Sequence, residues 1–256
     1  MNHPKFLATL AAMALVLASQ QALATIVQIK TNVGDFEVNL FDDTTPVTVQ
    51  NFLTYVNSGR YDNTTIHRSI PGFIIQGGGF RFVEQLPLTS IQTNAAIVNE
   101  PKFSNVRATI AMAKVPGNPN SATSQWFINL ADNSAGSSRL DSVEGAYTVF
   151  GQIAAADMEV VMMIANLPTY TFGNTQNLPL RNYTSADRND NKPLINANIV
   201  TVESISIVDA RANTAAGLNP KPNTLLPEPD SSSSSGSFSF GLLLLGPLLW
   251  WRRRSL

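Results

Sequence analysis

Residues 67–79 combine side chains that could do chemistry on a peptide. The segment reads HRSIPGFIIQGGG, and it carries a guanidinium, an aromatic ring and an amide at Arg68, Phe73 and Gln76. A polar side chain in an apolar strand must find a hydrogen-bond partner, and the backbone of a bound peptide is a ready one. Gln76 in this segment is therefore a candidate binding residue.

A second segment, residues 109–130, repeats this combination. It reads TIAMAKVPGNPNSATSQWFINL, a strand-like run, a polar loop and another strand-like run with Gln125 and Phe127. Two long segments in this order and at this spacing identify a protein family more specifically than a single glycine pattern would.

The two segments resemble the signature motifs of the cyclophilins, the cyclosporin-binding family of peptidyl-prolyl cis-trans isomerases. The first motif of that family is Phe-His-Arg-x-x-Pro-Gly-Phe-x-x-Gln-Gly-Gly, and only its leading aromatic differs here, where the chain has Ile66. The second motif is matched by Met112-Ala113-Lys114 and by Ser124-Gln125-Trp126-Phe127-Ile128. The resemblance extends from about Ile26 to Val208 and is closest to the periplasmic bacterial branch.

The resemblance implies a role for each matched residue. It implies catalytic roles for Arg68, Phe73 and Gln76, with Arg68 as the donor to the prolyl nitrogen. It implies substrate-binding roles for Ile74, Ala113, Lys114, Gln125, Phe127, Leu140 and Tyr147. Any one of the apolar members, taken alone, would fit ordinary core packing equally well.

Two positions depart from the pattern of many eukaryotic cyclophilins. Arg139 stands before Leu140-Asp141 where those proteins have tryptophan, and Tyr147 stands where they have a pocket histidine. Arg139 in place of the tryptophan removes an apolar surface and an indole N–H donor that contribute more to the binding of cyclosporin than to the binding of a peptide substrate. We therefore expect isomerase activity with weak or no binding of cyclosporin.

Two other functions remain as alternatives at this stage. A barrel of this family could hold proline-containing segments without catalysis, although a mere binder has no need of Arg68. A hydrolase would have to pair Ser69 or Ser124 with His67, but the sequence has no Gly-x-Ser-x-Gly elbow. Because isomerisation transfers no proton, we interpret His67 as a structural residue.

Composition narrows the choice of partners. The chain has no cysteine and two histidines, one of which is His3 near its start, so we expect no metal site and no cofactor. The 17 Lys and Arg residues include Lys5 and the three arginines at 252–254; without them 13 basic residues face 18 acidic ones. This balance argues against nucleic-acid binding, and we expect a monomer that binds proline-containing polypeptides.

Both ends of the chain read as targeting segments. Residues 1–24 predict a cleaved signal peptide, with Lys5, an apolar run at 6–18 and the cleavage pattern Ala22-Leu23-Ala24. The apolar run is shorter than the roughly 20 residues of a relaxed membrane span, which disfavours an N-terminal anchor. We expect an isomerase domain at 25–210 and a Pro/Ser-rich linker at 211–237.

Residues 238–256 hold a short apolar run followed by three arginines. This layout resembles the bacterial C-terminal sorting tails of the PEP-CTERM and GlyGly-CTERM types, and a plain tail anchor is the alternative. Either way we expect an exported, periplasmic protein that is held at the membrane or released at the cell surface after processing.

Periodicity predicts many short strands and two helices. A hairpin is expected at 26–41, further strands at 64–69, 73–77, 97–99, 109–114, 125–130 and 147–153, and a last strand at 199–208. A helix after Thr45-Pro46 presents Val49, Phe52, Leu53 and Val56 on one face, and a second begins near Asp157 with Met158, Val161, Met162 and Ala165.

These elements define a mainly β fold. The strand count alone would fit a barrel or a sandwich, and the resemblance favours a closed antiparallel eight-stranded barrel capped by two α-helices. Residues 168–196 show little periodicity, so we expect a long surface loop there.

Overall fold

An antiparallel sheet of nine strands is the framework of the computed structural model, which describes residues 25–211, 214–215 and 217–226. The signal peptide and the C-terminal tail predicted above lie outside these residues. The strands of the protein are β1 (Ile26–Thr31), β2 (Phe36–Leu40), β3 (Thr64–Thr65), β4 (Arg68–Ile70), β5 (Ile74–Gly77), β6 (Phe80–Arg81), β7 (Thr89–Ser90), β8 (Thr109–Met112), β9 (Trp126–Asn129), β10 (Val149–Ile153), β11 (Thr169–Phe172), β12 (Thr175–Pro179) and β13 (Thr201–Asp209). The helices are α1 (Pro46–Asn57), α2 (Met158–Ala165) and α3 (Ser185–Asn189).

The large sheet is antiparallel and curled. Its strand order is β3-β13-β1-β2-β10-β8-β9-β5-β4, so the edge strands β3 and β4 are neighbours in sequence. Between them, the backbone of Ile66 donates to Val200 next to β13, and that of His67 donates to Gln76 in β5. The predicted mainly β, antiparallel fold is confirmed, with nine strands in this sheet where eight were expected.

The barrel interior is filled from alternate positions along each strand. In β1 the side chains of Val27, Ile29 and Thr31 are buried, and their neighbours along the strand are more exposed. This alternation follows from the two-residue period of a strand, and it places one face of every strand in the core. The predicted hairpin is confirmed, with β1 and β2 paired around a turn at Gly34, whose φ is +154°.

The two predicted helices are confirmed and pack against the barrel. Helix α1 buries Val49, Phe52 and Val56, and the Phe52 ring lies 5.2 Å from that of Phe150 in β10. Gly59, with φ of +63°, follows the end of α1 as expected. Helix α2 buries Met158, Val161, Ile164 and Ala165. Among the described residues no helix has the length and apolar character needed to cross a membrane.

The first turn of α1 is capped by a carboxylate distant in sequence. Thr45 precedes the helix, but its hydroxyl donates to the carbonyl of Phe41 and does not cap the helix. Glu100 accepts instead from the backbone N–H groups of Val47 at 3.3 Å and Thr48 at 2.8 Å, and from the Thr48 hydroxyl at 2.7 Å. A carboxylate at this end satisfies free donors and complements the helix dipole.

Residues 168–196 are not the loop that was expected. They form the hairpin β11–β12 and helix α3, and the prediction of an irregular surface loop is wrong. The reason is a separate apolar cluster built from residues spaced too irregularly to show a period. It contains Leu178, Leu180, Tyr183, Leu194 and Ile199. The run 97–99, predicted as a strand, makes only an isolated bridge from Ile97 to Ala122.

The chain continues to contact the domain after β13. The backbone of Ser104 donates to Lys221 at 2.8 Å, and the Asn223 side chain donates to the carbonyl of Asp141 at 2.9 Å. These contacts extend beyond position 210, where the sequence placed the end of the domain.

The Glu100 cap gives a stability prediction. Glu100→Ala leaves the first amides of α1 without their acceptor, so we expect the free energy of unfolding to fall by about 1–2 kcal/mol in urea titrations. Glu203→Ala removes an exposed glutamate from β13 and serves as the control. Equal losses in both variants would contradict the capping role.

Candidate active site

The outer face of three neighbouring strands carries the core of the candidate site. Arg68 in β4 is opposite Gln76 in β5, and Gln76 is opposite Phe127 in β9. Directly paired residues in a sheet project to the same face, so these three side chains form one row. Ile74, two residues before Gln76, projects to the same face, whereas the intervening Ile75 is fully buried in the barrel core.

This row opens into a cavity of about 230 Å³. Its lining includes nine of the ten residues predicted from the sequence, namely Arg68, Phe73, Ile74, Gln76, Ala113, Lys114, Phe127, Leu140 and Tyr147. Pro116 also lines it and was not predicted, because nothing in the polar loop around it indicated which residue would turn towards the groove. The floor is apolar, since Ile74, Phe127 and Leu140 are buried together in one cluster.

The tenth predicted residue, Gln125, acts on the site through Gln76. The Arg68 guanidinium donates from Nη1 to Gln76 Oε1 at 3.3 Å, and Gln76 Nε2 donates to Gln125 Oε1 at 2.9 Å. The ion pairs among the described residues lie elsewhere, at Asp187, Asp209 and Asp132. Arg68 is thus oriented by a neutral amide, and its positive charge remains unneutralised in the cavity.

The three glycines at 77–79 leave space beside the sheet for the side chains of Gln125 and Trp126. A Cβ atom on Gly79 would come within 2.7 Å of the Gln125 side chain, and one on Gly78 would come equally close to the Trp126 indole. At Gly77 the added atom would meet Ile66 and Trp126 at 2.9–3.0 Å. Residues 77–79 therefore lack side chains because Gln125 and Trp126 occupy that space.

A buried network of amides fixes the opposite wall of the cavity. Asn133 Nδ2 donates to the carbonyl of Phe73 at 2.9 Å, and its own carbonyl accepts from the backbone of Leu140 at 2.9 Å. Asn105 Nδ2 donates to the carbonyl of Tyr147 at 3.1 Å, and the backbone of Asn133 donates to the Asn105 carbonyl at 2.9 Å. Sequence reasoning missed both asparagines, because their role depends on partners far away in the chain.

Lys114 holds a conformationally unusual loop at the rim. Its Nζ donates to the carbonyls of Glu144 and Ala146. Both residues have positive φ, as has Gly145 between them, at 55°, 76° and 60° in chain order. The ammonium also lies 4.4 Å from the centre of the Tyr147 ring. Burial lowers the pKa of Lys114, and the nearby Glu144 partly opposes this shift.

Tyr147 and His67 are both neutral at physiological pH. Burial, with help from Glu144, raises the pKa of Tyr147 to about 12. Burial lowers the pKa of His67 to about 4, and the Arg68 charge adds to this effect. The buried hydroxyls of Ser69 and Ser124 make no hydrogen bond to His67 or to any other described residue. Arg68 is therefore the group in this row that carries a formal charge.

Comparison with known proteins identifies the class to which this fold and site belong. The family model for cyclophilin type peptidyl-prolyl cis-trans isomerases matches residues 26–203. A peptidyl-prolyl cis-trans isomerase of Acinetobacter baylyi is 45% identical over 168 residues, which cover 64% of this chain and 85% of that protein. Isomerase B of Escherichia coli is 40% identical over 157 residues, which cover 60% of this chain and 92% of the relative.

A solved structure shows the same fold. The cyclophilin type isomerase of Cryptosporidium parvum, crystallised in the presence of the dipeptide Ala-Pro, aligns with a TM-score of 0.51 and 25% identity over 72% of this chain and 99% of its own. The chain belongs to the cyclophilin family and is a peptidyl-prolyl cis-trans isomerase. The recognition of this family from the sequence is confirmed.

The buried imidazole of His67 predicts how stability depends on pH. Because the folded-state pKa is about 4 and the ordinary value is 6.5, the unfolded chain binds a proton that the folded chain excludes between these limits. The His67 ring leaves the free energy of unfolding unchanged above pH 6.5. Its protonation in the unfolded chain lowers that free energy as the pH falls towards 4, by about 3 kcal/mol in total. His67→Gln should show a shallower fall in urea unfolding across this window.

Carboxylates also titrate in this range, so the comparison between the two proteins is the informative quantity. Equal pH dependence in His67→Gln and the parent would contradict the depressed pKa. An NMR titration of the His67 ring gives the same pKa directly and does not require the variant to fold.

Proposed function

We propose that the 230 Å³ cavity is the site at which this isomerase binds a prolyl ring and that Arg68 accelerates the rotation. Rotation about an X-Pro bond breaks no covalent bond, but it removes the amide resonance, at a barrier of about 18–20 kcal/mol. Without a catalyst it takes roughly tens to hundreds of seconds. Catalysis therefore requires only preferential binding of the twisted state.

Arg68 is positioned to favour that twisted state. When resonance is lost, the prolyl nitrogen becomes pyramidal and regains a lone pair that can accept a hydrogen bond. A fixed cationic donor stabilises this lone pair and has little to bind in the planar ground state. One preorganised donor of this kind is worth about 10²–10³ in rate. The hydrogen bond to Gln76 fixes the guanidinium, which supports this role.

The apolar floor of the cavity provides a binding surface for the proline ring. A proline ring has no donor and buries apolar surface, and the buried side chains of Ile74, Phe127 and Leu140 offer a surface of the same character. Phe127 is held edge-on by Tyr147, whose ring centre is 5.7 Å away. A rigid slot keeps the ring in place while the preceding carbonyl rotates.

We also propose that the substrates are exported proteins. Support for this role comes from the signal-like residues 1–24, the absence of cysteine, and the apolar run followed by arginines within 238–256. A folding helper in the periplasm would meet chains that still contain non-native prolyl isomers. Weak or absent cyclosporin binding stays a prediction; Arg139, on which it rests, is exposed in the structure.

The mechanism is tested by substitution of Arg68. Arg68→Ala removes the donor, so we expect kcat/KM on an X-Pro peptide to fall by about two to three orders of magnitude, with the fold intact by circular dichroism. Arg68→Lys should recover little, because an ammonium lacks the planar fork that fixes the geometry. Retention of more than half of the activity in Arg68→Ala would exclude the mechanism.

Gln76→Glu provides a matched control for the charge. It keeps the shape of the side chain that orients Arg68, but it replaces the neutral acceptor with a carboxylate and the Nε2 donor to Gln125 with an oxygen. The carboxylate attracts the guanidinium in the ground state, so kcat should fall by about tenfold, equivalent to about 1.4 kcal/mol of barrier. An unchanged kcat would show that the free charge of Arg68 is not used.

The proposed export is tested at the two chain ends. Mass spectrometry of protein from the native cell should find a chain that begins near Thr25. If the tail is a sorting signal, the chain ends between about Asp230 and Phe240 and lacks the arginines at 252–254. Intact Leu256 in the membrane fraction would favour a plain anchor, and a cytoplasmic protein that retains Met1 would refute export.

A further inference from the structure

A second cavity adjoins the isomerase site at strand β4. It is larger than the proline pocket, at about 400 Å³. Arg68 lines both cavities, and the second is also lined by His67, Phe80, Leu88 and the hairpin tip at 174–176. None of the residues recognised from the sequence motifs as substrate-binding lies in it.

The walls of this second cavity are suited to an uncharged, apolar side chain. Phe80, Pro87 and Leu88 form the apolar part, and the Phe80 ring packs edge-on against His67 with the ring centres 4.8 Å apart. The imidazole is neutral at physiological pH because burial lowers its pKa to about 4. Polar residues complete the lining at Arg68 and at the hairpin tip 174–176. A cleft of roughly 300–1,000 Å³ that combines apolar walls with polar groups able to fix a ligand's orientation is the usual character of a binding pocket.

The hairpin that forms one wall is held firmly on the domain. Strand β12 lies beside β4, and Leu178 and Leu180 near its end are fully buried in the separate apolar cluster that also contains Tyr183, Leu194 and Ile199. At the tip, the Phe172 ring in β11 is covered by the guanidinium of Arg188 at 4.7 Å. The wall therefore exists before any ligand binds, which lowers the entropic cost of binding.

We propose that this cavity is a second substrate subsite, which accepts an aromatic or large aliphatic side chain of the same polypeptide whose proline occupies the first pocket. The inference rests on the isomerase role of that first pocket, and it extends the role to sequence preference. Arg68 lines both cavities, so a substrate polypeptide that leaves the proline pocket beside the Arg68 side chain enters the second cavity. An extended residue spans about 3.3 Å, so two to four residues cover about 7–13 Å, a distance that would join two cavities sharing one side-chain wall.

The test is a series of peptides of equal length. Each has one proline in an alanine background and one phenylalanine placed two, three or four residues before or after it, and isomerisation is followed by NMR exchange on the full-length protein. We expect at least one position to raise kcat/KM at least fivefold over the all-alanine peptide, mainly through a lower KM. The preference should fall below twofold in Thr175→Trp, where the indole fills the cavity.

Thr171→Trp is the matched control, because Thr171 is exposed on the same hairpin and does not line the cavity. This variant should keep the preference. The subsite is refuted if no position exceeds twofold, or if the preference survives in Thr175→Trp. If that variant does not fold, backbone amide shifts of Leu88 and Thr175 decide: they must move with the preferred peptide and not with its alanine counterpart. Absence of activity on every peptide would refute the isomerase function instead.

Discussion

The pairing register of strands β4, β5 and β9 is the constraint on which the rest of the site depends. Because successive residues of a strand point to opposite faces, a shift of one residue would exchange the two faces completely. In the observed register Arg68, Gln76 and Phe127 share the outer face, while Ile75 and Ile128 fill the barrel. Burial of these core side chains fixes the register by several kcal/mol, at about 1.5–3 kcal/mol for each large apolar residue. The free energy that folds the barrel therefore also aligns the site.

Buried asparagine side chains position the loops of the proline pocket, which the strand register does not fix. The sheet fixes one side of the proline pocket, but Phe73, Leu140 and Tyr147 belong to loops, whose backbone would otherwise be free to move. Asn133 and Asn105 bind the carbonyls of Phe73 and Tyr147, and the backbone of Leu140 donates to Asn133. A buried amide that lost its partners would cost about 1–3 kcal/mol, so the network resists displacement of any one loop. The pocket is rigid because polar groups in the interior must remain paired.

The sequence indicated which residues group at the site better than it indicated the periphery. Arg68, Gln76 and Phe127 were selected by resemblance to the family motifs, and the structure brings them together because these motif residues lie opposite one another in paired strands. The Glu100 cap of helix α1 was not, because its partner is about 50 residues away and only the tertiary fold brings the two together. The hairpin at 169–179 was missed for a related reason: Leu178 and Leu180 are buried by a small cluster whose members come from several loops. Local patterns indicate local structure, and a cavity wall assembled from distant segments leaves no such pattern.

The neutral partner of Arg68 explains how one charge can both be held in place and remain available. A carboxylate would orient a guanidinium more strongly than an amide does, but it would also satisfy the charge in the ground state, so the lone pair of the twisted prolyl nitrogen would gain little. Gln76 accepts one hydrogen bond at 3.3 Å and is itself fixed by Gln125, so orientation is transmitted through neutral groups. The neighbouring His67 is neutral as well, because burial keeps its pKa near 4. Both features leave the positive charge of Arg68 available to the prolyl nitrogen, and the rotation requires no proton transfer.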